Sequence, residues 1–262
     1  MKSRELVLPK SLVPDADTQT ERYGRYVAEP FERGYGHTIG SALRRVLLSS
    51  LEGASVTTVK FRDALHEFTT IPGVVEDVTN ILLNLKLVRF RMHSEGPEHV
   101  TLHVRREGVV TAGDLQCGPG LEVLNPDQPI ATLDTGGDLD AELTVSRGRG
   151  YVPADNHRRE NLPIGTLPVD AIFSPVTRVH YDVENARVGQ ITDFDRLVME
   201  IWTDGSIAPG DALSSAANIL RGTLGIFVLD GDSSLPAGAP DGEAGGDRIR
   251  EILNRPIEHL KL

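Results

Sequence analysis

The chain has 262 residues, 39% of them hydrophobic and 25% charged, an ordinary water-soluble composition at a length that needs neither metal nor disulfides to bury a core. Its 38 acidic against 27 basic residues leave a net charge of -11, the wrong sign for a protein gripping a phosphate backbone over most of its surface. One cysteine, Cys117, excludes an internal disulfide framework and a thiolate metal cage, and no signal-peptide core or run of ~20 apolar residues occurs, so a cytoplasmic protein is expected.

Residues 1–22 are polar and broken by Pro9 and Pro14. Tyr23–Phe31 reads as a strand with Pro30 at an end or an edge, because proline cannot donate to a ladder. A helix is predicted over Thr38–Ser50, where Ile39, Leu43, Val46 and Leu47 share one face, His37 or Thr38 could cap, and Gly53 lies past the end. Ser55–Phe61 alternates, Thr57, Val59 and Phe61 against Val56, Thr58 and Lys60, as a half-buried strand does. Short strands and turns fill 62–176, including alternating runs at His99–Arg105 and Ala141–Ser146 and a turn at Ile71-Pro72-Gly73. A short amphipathic helix runs through Val78, Ile81, Leu82 and Leu85 within Asp77–Lys86. Val176–Val183 and Arg196–Trp202 read as two further strands, with Leu197, Met199 and Ile201 on one face of the second.

The last long helix is expected over Asp211–Leu229. Leu213, Ala217, Leu220, Leu224 and Phe227 follow the a/d spacing of helices that pack lengthwise, and Ile219 and Ile226 form a second apolar row. A helix apolar on two sides is buried on two sides, one against its own domain and the other against a second subunit. Gly222 and Gly225 each cost about 1 kcal/mol of helix propensity, for which close packing is the expected compensation. Residues 231–247, rich in Gly, Pro, Ala and acid, read as a flexible linker, after which Ile249, Ile252, Leu253, Ile257, Leu260 and Leu262 begin a new apolar pattern.

The sharpest enzyme-like signal is Gly34-x-Gly36-x-x-x-Gly40, which follows a strand and opens a helix whose N-terminus could take a pyrophosphate. Arg25, Glu29 and Pro30 interrupt the strand before it, the next strand alternates, and no strand–helix series follows, so a tight turn is the better reading. On that helix Ser41, Arg45 and Leu48 share the side away from Leu43, and an arginine beside an apolar residue there suits a partner contact. His99 and His103 lie in a strand without a third ligand, and read as a structural pair. Gly231–Leu235 resembles a hydrolase serine motif but falls in the linker, Arg147–Tyr151 is one short basic turn, and Asp193 and Asp195 read as a solvated turn. No group of residues assembles nucleophile, base and oxyanion donor, so no catalytic residue, metal or cofactor is expected.

Glu29-Pro-Phe-Glu-Arg-Gly-Tyr-Gly-His-Thr-Ile-Gly-Ser-Ala-Leu-Arg-Arg-Val-Leu-Leu-Ser-Ser50 closely resembles the first long motif of the bacterial RNA polymerase alpha subunit family. Leu65–Lys86, Arg147–Ala154, Ile172–Val179, Asn185–Asp193 and Thr203–Ile207 resemble further motifs of that family, in its order. The resemblance implies an α+β fold: an antiparallel-sheet dimerisation subdomain with two long helices (1–52 and 177–230), interrupted by an inserted, mainly β subdomain (53–176). It implies a linker over 231–247 and, in 248–262, only the opening of a carboxy-terminal DNA-binding domain, so little or no direct DNA binding is expected of this chain alone.

The implied function is a homodimeric scaffold that nucleates assembly of the beta and beta-prime subunits, with nucleotidyl transfer carried by those large subunits. The dimer interface would use Ile39, Leu43, Leu47, Leu213, Ala217, Leu220, Leu224 and Phe227. Arg45, with Arg44 and Leu48, would contact beta, and Lys86 and Phe173 would face the large subunits, although Leu87 stands where the family commonly has glycine. The alternative is a nucleotide-binding enzyme built on the Gly34–Gly40 turn.

Overall fold

Antiparallel pairing builds every sheet among the described residues. The computed structural model describes residues 7–9, 11–157, 162–188 and 191–228. In chain order the elements are β1 (Leu12–Pro14), β2 (Tyr23–Glu32), α1 (Tyr35–Ser49), β3 (Glu52–Phe61), α2 (Val78–Leu85), β4 (Phe90–Met92), β5 (Glu98–Val104) and β6 (Gly108–Thr111). A 3-10 turn at Ala112–Asp114 leads to β7 (Leu115–Gln116), β8 (Leu121–Val123), β9 (Pro129–Leu133), β10 (Leu139–Arg149), β11 (Tyr151–Val152) and α3 (Ala154–His157). The remainder is β12 (Thr166–Pro168), β13 (Ala171–Ile172), β14 (Val176–Val188), β15 (Ile191–Thr203) and α4 (Pro209–Gly225).

The first sheet has the order β1-β2-β15-β14, and its long hairpin joins two strands of 13 residues each. Cross-strand pairing aligns Tyr26, Met199 and Tyr181 in one row, and sets Val179 opposite Ile201. α1 and α4 cover that face, and Leu47, Leu213 and Ala216 join Phe31, Leu197 and Ile201 in a buried cluster. Pro30 lies inside β2, beyond the stretch that β1 pairs, at a register shift where the partner strand passes from Asp195 to Leu197. An edge and a bulge are the two places where a missing N–H is tolerated.

The second sheet, β7-β5-β10-β3-β4-β8 with β12 on β3, surrounds a separate apolar cluster running from Val56 to Val169. Its α2 is capped by Asp77, whose side chain accepts from the Asn80 amide at 2.7 Å. The strict alternation expected of Ser55–Phe61 fails at one point. A register shift against β10 between Thr144 and Val145 inserts a residue near Thr57, so Val56 and Val59 are both buried.

Helix limits also differ from expectation. α1 starts at Tyr35, before His37 and Thr38, with Gly34 at its N-cap and no side-chain cap. α4 ends at Gly225, not Leu229, where Phe227 and Val228 enter a turn closed by amide bonds to Leu224 and Gly225. Gly222 and Gly225 near the end lower helix propensity there, and an added Cβ on either would meet nothing within 4 Å, so the expected close packing is absent from the described residues. No helix among the described residues is long and apolar enough to cross a membrane. The linker, the apolar pattern after it and the Gly231–Leu235 motif lie outside the described residues.

Candidate partner-binding surface

The turn that could have cradled a phosphate already holds an anion. Gly34, at φ +89°, turns the chain into α1, and the Asp195 carboxylate on β15 accepts from the Gly34 amide at 2.7 Å and the Gly36 amide at 3.1 Å. Asp195 is therefore buried in a strand and not part of a solvated turn, because the exposed amides of a helix N-terminus are the partners that favour a buried carboxylate. Gly36 and Gly40 have no room for a nucleotide. A Cβ on Gly36 would stand 2.9 Å from Val183 Cγ1, and one on Gly40 would stand 2.7 Å from the Tyr181 ring. The glycines serve close helix–sheet packing.

That packing decides which face of α1 is free. Gly36, Gly40 and Leu47 are buried, and Ile39, Leu43, Val46 and Leu48 are partly buried against the same core. Leu48 thus departs from the outer-face position expected beside Arg45. His37, Thr38, Ser41, Arg44, Arg45 and Ser49 remain exposed. Arg25, Arg62, Arg91, Arg106, Arg149 and Arg196 each have a carboxylate within ion-pair distance. Arg44 and Arg45 have none among the described residues.

On α4 the core side is Ala212, Leu213 and Ala216, with Ile219 partly buried beside them. Leu213 and Leu47 are filled into the chain's own core, 5% and 0% exposed, so neither has side-chain surface left for a second subunit. Ala217 is exposed, Leu220 half-buried and Leu224 54% exposed, and beyond the helix Ile226, Phe227 and Val228 are all exposed. The chain's apolar seam therefore divides, with its start inside and its later positions outside.

Lys86, at the C-cap of α2, pairs through Nζ with Asp170 Oδ2 at 2.9 Å. Asp170 also accepts from the Ala154 amide at 2.8 Å. That amide, the Lys86 ammonium and the Tyr151 hydroxyl hold the Asp170 carboxyl below its ordinary value. Phe173 is 3% exposed, its ring against Gly148 and the His157 ring, so the side chain itself offers no outward contact. The sequence patterns did not single out Asp170 and read Asp195 as part of a turn, because each acts on backbone amides remote in sequence.

The remaining motifs resolve into surface structure. His99 and His103 lie exposed along β5, and among the described residues no group of three ligating side chains could hold a metal. Arg147 donates to the Met92 carbonyl at 2.8 Å and Arg149 pairs with Glu52 at 2.6 Å, which spends the basic turn on internal contacts.

Residues 59–174 match the family model described as the RNA polymerase Rpb3/RpoA insert domain. The chain is 48% identical over 259 residues, 99% of its own length and 76% of the relative's, to the DNA-directed RNA polymerase subunit alpha of Geobacter metallireducens. It is 57% identical to the subunit of the same name from Moorella thermoacetica, over 79% of this chain and 66% of the relative. To that of Symbiobacterium thermophilum it is also 57% identical, over 92% and 76%.

Proposed function

The chain belongs to the DNA-directed RNA polymerase alpha subunit family, and from that premise we propose that it acts as a homodimer on which the beta and beta-prime subunits assemble. As an alpha subunit it assembles with other polymerase subunits and takes part in transcription. The reading divides it into a dimerisation subdomain (1–52 and 177–230) and an inserted, mainly β subdomain (53–176). Two apolar clusters with no residue in common support that division, one drawn from 26–51 and 176–216 and the other from 56–169.

The observation that carries the partner role is the pair Arg44 and Arg45, adjacent and exposed on α1 without a carboxylate, whereas Arg25, Arg91, Arg106 and Arg149 each have one. A planar five-donor group left unpaired beside a rigid helix is suited to a carboxylate or carbonyl of another protein. We assign Arg45, with Arg44, to the beta subunit, Leu48 to the support of that helix, and Lys86 to the large-subunit face. The second protomer would cover Ala217, Leu220, Leu224 and Phe227, flanked by Ile39 and Leu43, with Gly222 and Gly225 allowing close approach. The expected place of work is the cytoplasm. The nucleotide-binding alternative has no support, since Asp195 fills the anion position of the turn.

Co-expression with beta and beta-prime tests this reading. A stable complex containing two copies of the chain is expected on size-exclusion chromatography. Elution of the chain apart from both large subunits would remove the reading.

A further inference from the structure

The polypeptide passes between its two apolar clusters twice, through 52–55 and through 170–175. The passages lie side by side, since a Cβ on Gly53 would collide with the Phe173 carbonyl. Two adjacent crossings define a line about which the parts could swing, not a fixed angle. Next to Gly53 a cleft of about 240 Å³ opens, lined by Phe90, Arg91, Arg147, Ser206 and Ile207. A third attachment lies across it.

That attachment is Arg91 on β4. Its Nη2 donates to Gly205 O at 2.9 Å and its Nε to Ser206 O at 3.4 Å, while Nη1 meets Glu122 Oε2 at 3.2 Å on neighbouring β8. The receiving loop is itself braced. The Asp204 amide donates to Pro175 O at 2.9 Å, and the Ser206 amide and hydroxyl both donate to Asp204 Oδ1, at 2.9 and 2.6 Å. Gly205 holds φ +96°, a conformation that turns its carbonyl out of the regular path, and α4 begins four residues later at Pro209.

We propose that Arg91 is a positioning residue, a clasp that fixes the angle between the inserted sheet and the sheet–helix layer carrying α4. This rests on the two-subdomain scaffold reading and deepens it. Partners that grip both subdomains at once meet one preset geometry only if the hinge is closed. Glu122 holds the guanidinium in plane from the inserted side, and the loop carbonyls receive it from the other. A lysine lacks the fork to serve all three acceptors.

Pulsed spin-label distances test the clasp in the full chain. Cys117→Ser removes the native thiol, and labels at Val109→Cys and His180→Cys, both exposed, report on the two sides of the hinge. Labelled chain diluted into excess unlabelled chain gives one pair per assembly. The parent should show one narrow distance, and Arg91→Ala and Arg91→Lys a broad one, with the far-ultraviolet spectrum unchanged. If the competent angle falls to about a tenth of the population, apparent affinity for the large subunits falls about tenfold. Should Arg91→Ala fail to fold, Glu122→Gln, which leaves the carbonyl contacts in place, should still widen the distribution. An unchanged width in Arg91→Lys and Glu122→Gln would overturn the clasp. Failure of the parent chain to bind the large subunits would remove only the scaffold reading, because the distances are read without them.

Discussion

The Asp195 carboxylate and the Gly36 amide, 3.1 Å apart, join the middle strand of the first sheet to the opening turn of α1. With the Gly34 bond at 2.7 Å, one side chain satisfies two of the donors that a helix start leaves open. Asp195→Ala should cost about 1–3 kcal/mol, the range for stranding buried donors. Gly36→Ala should cost about 1–3 kcal/mol by overpacking against Val183 and Asp195. Urea melts followed by circular dichroism measure both, and a loss under 0.5 kcal/mol in either would mean that the sheet does not set the start of α1.

Arg45→Ala should leave the fold and its melting temperature unchanged, since the guanidinium is exposed and touches no described carboxylate. Binding to the beta subunit should weaken by about 2 kcal/mol or more, as at an interface hot spot. Arg44→Ala should have a smaller effect in the same direction. Calorimetric titration of beta with each variant separates the two, and parent-like affinity for Arg45→Ala would move the contact elsewhere on the chain.

The Lys86–Asp170 pair carries a pH signature. The Ala154 amide, then Lys86 and Tyr151, lower the Asp170 carboxyl beneath its ordinary 3.8. A carboxyl lowered in the folded chain stabilises it above the unfolded value, and that stabilisation is lost as pH falls from about 4 through the folded value. Asp170→Asn should flatten this part of the acid limb and leave stability between pH 6 and 8 changed by a constant amount. Denaturant midpoints measured from pH 2 to 7 check it; identical acid limbs for parent and variant would show the pair to be incidental.

The interior period of α1 was legible because Leu43 and Leu47 repeat at helical spacing along one face. Its start was not, since the group that satisfies the first turn comes from Asp195, 161 residues from Gly34. Local patterns carry no record of so distant a partner. The same limit hid the far end of β14, where Glu184 and Asn185 show no apolar alternation yet continue the ladder with Ala186, opposite Arg196, Asp195 and Phe194. Backbone pairing prolonged that hairpin. The burial of Val56 was missed for a different reason: one inserted residue inverts the two-residue period of a strand, and only the partner strand reveals the insertion. Of the surface residues, the exposure of Arg45 could be read from its place on an amphipathic helix. Leu213 was misread because heptad spacing groups it with Leu220 and Leu224, while the real helix puts its core side on Ala212, Leu213 and Ala216.

That division of the α4 seam gives the last prediction. Leu213 is 5% exposed and Leu224 is 54% exposed, although both fall on one heptad pattern. Leu213→Ala should therefore act on the chain itself, at about 2–5 kcal/mol for a buried leucine, and Leu47→Ala likewise. Below their melting points both variants should still form the parent's oligomer. Leu224→Asp should do the reverse. The charge remains hydrated in a separate protomer and costs its fold little, but pressed against a second copy it would be desolvated without a partner. Phe227→Asp should behave alike, since Phe227 is 73% exposed. Light scattering should give the parent at twice the chain mass and Leu224→Asp near the chain mass, with unchanged far-ultraviolet spectra. A Leu224→Asp variant that stays at twice the chain mass would place the contact between copies away from the end of α4.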